Sequence, residues 1–429
     1  MIKQLGSLVG RIQEAYRRQF PVTMREHDRA VAQSANPTLR LLFRLRRMVA
    51  ALLLLTVALF VAFNLQLFTP ESLNTIRSSL SAPQKQGDST TITYPSGSAD
   101  STVPFGSALA LTDSTSLHIV FPGDFSLLKS SVAYANPALH ATDQYLLVFD
   151  RGGNRFTVTN TLQELYHQST SSPIIDADIG SNGSVAIVTD EAGYKSGVTV
   201  YNVANEKLYN WYSSNYYIMS AALSPNKKHL ALFTFKQEGT ETKSRVFFAD
   251  TTQDMPASNG GDNGSSEPEI GVDLGNSLVL DMKFIDKNTL CVVCDDATYF
   301  VSRRGKIKYQ KDYPVDALVA FDFSDDRLAL ALKSYSKSAR AELSLISASG
   351  RESKHPLELN DEPDSISYNN GKLAVLTGDT LRFYNGKLKL LDEQEGMVGC
   401  SRVYMRDDGT AVCLFGSHAR ITAIGKAQS

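Results

Sequence analysis

From about residue 105 onward, short apolar runs of period-two character alternate with Asn, Asp, Gly and Ser, and no long helical period interrupts them. Alternation at that period predicts strands, because successive side chains leave a strand on opposite faces. One unit recurs, a polar turn followed by a compact apolar strand. It reads SALALT at Ser107, DQYLLVF at Asp143, NGSVAIV at Asn182, KKHLALF at Lys227, KNTLCVV at Lys287, DRLALAL at Asp326, GKLAVLT at Gly371 and GTAVCLF at Gly409. The leading apolar residues are Leu109, Tyr145, Val185, Leu230, Leu290, Leu328, Leu373 and Ala411, spaced by 36, 40, 45, 60, 38, 45 and 38. The long interval contains the polar insertion TTQDMPASNGGDNGSSEPEIG at 251–271. Without about twenty of those residues each unit is about forty long, the length of a four-stranded propeller blade.

Within one unit the expected strands are 174–179, 184–189, 197–202 and 208–212. A single blade cannot cover both of its faces, so stacking blades radially builds the core. The expected fold is therefore all-β, a propeller of eight four-stranded blades over 105–429. The last unit lacks a fourth strand after 419–424, and the run TTITY at 90–94 can supply it and close the ring. Seven blades, with the first unit merged into the last, is the second arrangement, and a pair of β-sandwiches the third.

The chain ahead of the repeat has a different pattern. Residues 48–68, MVAALLLLTVALFVAFNLQLF, are 21 residues without a charge. About 20 apolar residues cross a hydrocarbon core of roughly 30 Å, which predicts a transmembrane helix. The run begins after 47 residues and is followed by Leu67-Phe68-Thr69-Pro70, not a small-residue cleavage site, so it reads as a retained signal anchor. Arg40, Arg44, Arg46 and Arg47 crowd its N-terminal edge. The positive-inside bias then places residues 1–47 in the cytoplasm and the repeat outside a bacterial cytoplasmic membrane, in a single pass. Within 1–47, Ile2, Leu5, Leu8, Val9, Ile12, Tyr16 and Phe20 fit one face of a basic helix, suited equally to an anionic leaflet or a partner. Of residues 69–104, 20 of 36 are Ser, Thr, Pro or Gly, which predicts a flexible linker.

Charge sharpens this division. The whole chain of 429 residues is nearly neutral at -2, yet residues 1–47 hold ten Lys/Arg against three Asp/Glu, leaving 33 against 42 for the rest. A basic anchor of +7 and an acidic exported portion of -9 are thus hidden in one sum. The acidic portion argues against a nucleic-acid partner.

Candidate chemistry is sparse. Nine positions before the leading residues stand Asn136, Asp176, Ala221, Asp281, Val319, Asp364 and Arg402, expected on the innermost strands. Carboxylates and an Asn around a channel suit a hard cation, while a polar solvated channel is the plainer reading. Cys291 and Cys294 have CxxC spacing, but in a strand i and i+3 point to opposite faces, so buried free thiols are expected. Cys400 and Cys413 fall on neighbouring strands without facing each other. The seven His show no metal-partner spacing, and the Asp pairs 295–296, 325–326 and 407–408 read as turn chemistry. The cluster YNWYSSNYY at 209–217 holds the only Trp, Trp211, with Tyr209, Tyr212, Tyr216 and Tyr217. Such aromatics either form a rim that grips peptide or sugar, or pack blade on blade. No catalytic, metal or cofactor motif appears.

The run NPALHATDQYLLVFDRGGNRFTV at 136–158, GYKSGVTVYN at 193–202, and YNWYS followed by ALSPNKKHLAL resemble the DUF5711 family. The resemblance implies a single-pass membrane protein of Firmicutes with an extracytoplasmic PQQ-like or WD40-like propeller, and it brings no activity. Two functions follow. The first is a membrane-tethered, non-enzymatic scaffold or sensor that binds an envelope protein, peptide or glycan. The second is a propeller enzyme, either a quinoprotein dehydrogenase or a glycan hydrolase. The second would call for repeated Trp-bearing or Asp-box turns, which this chain lacks.

Overall fold

The computed structural model describes residues 45, 48, 49, 52–56, 91–94, 102–112, 115–121, 125–161, 163–226, 228–252, 268, 270–314, 316–324, 326–334 and 340–425. The chain divides into two units, residues 1–74 and 75–429. In the first, Leu45, Met48, Val49 and residues 52–56 are helical and exposed. Among the described residues no helix is long and apolar enough to cross a membrane. Most of the 48–68 run lies outside them, as do residues 1–44, 46 and 47 and most of the linker.

The second unit is a ring of eight four-stranded antiparallel sheets. Blades 1 to 7 each use four consecutive strands. Their innermost strands are Thr102–Phe105, Pro137–Ala141, Ile174–Ile179, Tyr217–Leu223, Val279–Asp286, Leu318–Phe323 and Ser365–Asn369. Blade 8 has Cys400–Met405 innermost, and its outermost strand is Thr91–Thr93, from the other end of the ring. That closing strand pairs Thr91 with Arg420, Ile92 with Ala419 and Thr93 with His418. Eight blades, not seven, is therefore the count, because the first unit forms its own complete sheet.

All eight repeat signatures fall on second strands, and the reason is burial on both faces. Ala108–Thr112, Val185–Thr189 and Thr289–Cys294 are buried at every position. Neighbouring residues on one such strand serve different interfaces. Leu146 and Val148 pack toward blade 1, while Leu147 and Phe149 pack toward blade 3. Eight apolar clusters of the described residues fill the eight blade-to-blade interfaces, the last sealed by Ile92 and Tyr94 with Leu109, Leu111, Val412 and Leu414. A core distributed in this way leaves the ring's axis free of packing, and there a channel of about 2150 Å³ runs between the innermost strands.

Candidate functional site

The innermost strands share an irregularity that decides what the channel presents. Five of them skip one residue in their pairing with the second strand, at Ile175, Met219, Leu280, Val319 and Ser401. A bulge leaves the extra residue unpaired and re-aims its side chain. Ile175, Met219 and Leu280 line the channel as a result.

The same bulges explain where the predicted channel residues lie. Asp176 and Asp281 follow a bulge directly and line the channel, with Ala221 nearby. Val319 is itself the bulge residue of blade 6 and packs against the interface with blade 7. Asn136 and Arg402 border a separate cavity of about 300 Å³ among blades 8, 1 and 2. Asp364 corrects the expectation: the hairpin of blade 7 turns in two residues where that of blade 3 takes five, so a fixed count back from Leu373 overshoots the strand. Its carboxylate instead accepts the Gly378 N–H at 2.6 Å in an exposed turn.

The carboxylates deeper in the channel belong largely to the scaffold. Asp178 accepts the Leu223 N–H of blade 4 at 2.7 Å and meets His140 Nδ1 of blade 2 at 3.6 Å, so one side chain ties three blades. Asp322 holds the equivalent place in blade 6, accepting from Tyr368 N at 2.7 Å and Ser367 Oγ at 3.0 Å in blade 7. Ser367 continues the series by accepting the Met405 N–H of blade 8 at 3.0 Å. The position is the same each time, opposite Ala186, Ala329 and Ala374 on the second strands. Sequence reasoning missed this clamp. Its signal was an Asp or Ser near the end of the innermost strand, in DADI, AFDF and SISYN.

The DRGG turn belongs to the same design. Arg151 reaches across to Asp176 at 3.6 Å, and a Cβ on Gly153 would lie 2.2 Å from the Asp150 carboxylate. Glycine is needed there for close approach, not for cradling a phosphate.

Nine Asp line the channel against four Lys/Arg and His140, which makes it negative. Burial opposes charge on His140, but its bond to Asp178 and the field of Asp178, Asp176 and Asp281 prevail and raise its affinity for the proton. Burial likewise pushes the Asp176 carboxyl upward against His140, Ser220 and Arg151. Asp281 is pushed up to about 6, first by burial and further by Asp176 and Asp178, with the Met282 N–H opposing. It has no cationic partner at contact distance among the described ion pairs.

Asp322 is also pushed up to about 6, by burial that outweighs the bonds from Tyr368 and Ser367 and the Lys283 charge. Its folded affinity for the proton exceeds the unfolded one, so this group stabilises below about pH 4 and loses that contribution as pH rises through about 6. Asp322→Asn keeps an acceptor for the Tyr368 N–H without the buried charge. It is expected to raise unfolding free energy by about 2 kcal/mol at neutral pH and to change little at about pH 4. Urea denaturation at the two pH values reads the difference.

The aromatic cluster splits between the two roles considered for it. Trp211 is 1% exposed and meets Phe247 of blade 4 edge-on at 5.8 Å. Tyr209 packs in the same interface, and Tyr216 meets Phe247 at 5.1 Å. These three join blade to blade. Tyr217, by contrast, is 40% exposed and stacks on Phe235 at 5.0 Å, and half-buried Tyr212 backs exposed Tyr194 at 5.3 Å. Met219, Leu278 and Leu280 extend the exposed apolar surface along the channel mouth at blades 4 and 5, at 37%, 57% and 49% exposure. Sequence reasoning missed Tyr194, Phe235, Leu278 and Leu280.

The four thiols are free. Cys291 faces the blade 5–6 interface and Cys294 the blade 4–5 interface, as opposite strand faces require. Cys413 pairs with Val403 and Cys400 with Phe415, so the two are diagonal neighbours on one face. Their mutual hydrogen bond lowers the Cys400 thiol and raises that of Cys413. Among the described residues no group of three or more His, Cys, Asp or Glu has metal-binding geometry.

The crystal structure of BamB from Moraxella catarrhalis is 9% identical, covering 77% of this chain and 98% of that one, at a TM-score of 0.45. The crystal structure of the C-terminal WD40 domain of Sif2 is 12% identical, covering 78% of this chain and 95% of that one, at a TM-score of 0.52. At such identity the likeness to the Sif2 domain is one of fold alone. No match was found among curated proteins. The model of a family of unknown function, DUF5711, matches residues 102–396, which hold all four strands of each of blades 1 to 7. That match covers more than half of the chain and includes the DRGG and GYKS turns, and the chain therefore belongs to the DUF5711 family.

Proposed function

We propose that the protein is a membrane-tethered, extracytoplasmic propeller that binds a protein or peptide partner at the bacterial cell envelope, as a scaffold or sensor without catalysis. The observation that carries this reading is the exposed surface of Met219, Leu278 and Leu280 at one mouth of an open channel, with exposed Tyr217 stacked on the channel residue Phe235 beside them. A contiguous apolar patch rimmed by polar groups is a recognition surface far more often than an accident of packing. Two of the channel carboxylates, Asp178 and Asp322, are engaged as clamps between blades. Tethering rests on the apolar run 48–68 and its arginine flank, which favour a C-terminal portion outside the membrane.

A photo-crosslinking amino acid placed at Leu280 in the full-length protein, in native membranes, tests the reading. The expected result is a discrete protein adduct that is absent when the same group replaces Leu390, which is exposed at 53% on the outermost strand of blade 7. Equal labelling at both positions, a glycan adduct, or turnover of a quinone or glycan by the purified protein would overturn it. Protease added outside intact cells is expected to reach the ring and to leave residues 1–47 intact.

A further inference from the structure

The mouth at blades 4 and 5 combines two features that single out one kind of partner. The first is apolar. Met219 and Leu280 are the unpaired residues of equivalent bulges on adjacent innermost strands, and both bulges turn apolar side chains toward the channel. Leu278 lies two residues before Leu280, and Tyr217 stands two before Met219 on its Phe235 support. The second feature is charge. Asp281 directly follows Leu280, and Asp176 directly follows the bulge residue Ile175 of blade 3.

Both carboxylates line a channel where Asp outnumbers fixed cations nine to four. Asp176 shares Arg151, and Asp178 shares His140, whereas Asp281 accepts the Met282 N–H at 2.7 Å and has no ion pair among the described residues. Cations on the rim do not reverse this balance. Lys236 pairs with Glu238 at 3.2 Å, Lys243 with Glu241 at 2.7 Å, and Lys195 donates to the Asn215 carbonyl at 3.0 Å. Two of these charges are thus offset by carboxylates, Lys195 keeps its charge over the Tyr217 ring at 5.0 Å, and the field grows negative inward. An anionic ligand gains nothing on such a path, and a purely apolar one leaves the carboxylate uncompensated.

We infer that this mouth takes an extended peptide segment of a partner protein in which a lysine or arginine is flanked by apolar residues. The apolar side chains rest on Tyr217, Met219, Leu278 and Leu280, and the basic side chain enters the channel toward Asp281 and Asp176. This inference rests on the binding reading above and adds the chemistry of the partner. Apolar contact supplies most of the affinity, and the carboxylates select for the cation.

Three fluorescent amidated pentapeptides, each with a leucine and a phenylalanine on either side of a central residue, provide the test. The central residue is lysine, norleucine or glutamate, and binding to the full-length protein in detergent is read by fluorescence anisotropy. The lysine peptide is expected to bind about tenfold more tightly than norleucine, with glutamate weakest. Asp281→Asn should shrink the lysine advantage to about threefold or less, whereas Leu278→Ser with Leu280→Ser should weaken the lysine and norleucine peptides alike. The lysine advantage should also fall between about pH 7.5 and about pH 5.5, as Asp281 takes up its proton. Equal binding of all three peptides would overturn the choice of a cationic partner and leave the binding reading standing. Absence of binding by any of them would overturn the inference, and with no adduct at Leu280 both readings would fall.

Discussion

Ile92→Asp is expected to abolish cooperative folding of the ring. Ile92 is 1% exposed and sits between the last blade and the first, against Leu109, Leu111, Val412 and Leu414. Removing its side chain forfeits about 2–4 kcal/mol of burial and packing. A carboxylate in its place meets no cation in that cluster and adds several kcal/mol more. Together these approach the whole stability of a typical domain, about 5–15 kcal/mol. Among the described residues the closing strand is also held by three residue pairs, the Tyr94 N–H to Ser417 O at 3.1 Å, and the Tyr94 hydroxyl to Phe415 O at 2.6 Å. Thr93→Asp, one residue away on the exposed face, is the control and should cost under about 1 kcal/mol. Circular-dichroism melts of the two variants decide the matter. Equal melting temperatures would mean that the ring does not depend on this strand.

Trp211→Ala carries the second large effect, an expected loss of about 3–5 kcal/mol. The indole fills the blade 3–4 interface among Val188, Val198, Ile218 and Phe247, and two sheets facing each other cannot collapse onto the void. Trp211→Phe should cost far less, about 1 kcal/mol, because the buried indole Nε1 has no hydrogen-bond partner to lose. Tyr217→Ala, six residues on, should lower stability by about 1 kcal/mol or less through its lost stack on Phe235, yet weaken partner binding about tenfold. Urea midpoints measured beside peptide affinity separate the two roles. A binding loss for Trp211→Phe equal to that for Tyr217→Ala would contradict the division.

What could be read from the chain follows from which physical rule acted alone. Second strands such as Val185–Thr189 are buried on both faces, so the apolar run is continuous and its recurrence exposes the blade period. The channel obeyed no such single rule. A bulge at Ile175 turns an apolar side chain to the axis beside Asp176, a two-residue turn in blade 7 carries Asp364 out of the strand, and neither is written in the repeat interval. Leu278 and Leu280 look like core alternation in the sequence. They are exposed because their strand borders the axis, a fact of ring closure and not of local pattern. Within YNWYSSNYY the composition is uniform, and strand alternation alone sends Trp211 inward while its neighbour Tyr212 remains half-buried under Tyr194.

The closing strand also sets a timetable. Thr91–Thr93 is made before any blade, and its partner His418–Ala423 is made after all the others. At about 5–20 residues per second, the closing strand with Ile92 waits tens of seconds for that partner while the chain grows. During that interval blades 1 to 7 can each form their own sheet, but the closing strand is unpaired and the first blade lacks one neighbour. Newly made chains are therefore most exposed to edge-to-edge association at this seam, and the last dozen or so residues of the ring end that exposure in a single step.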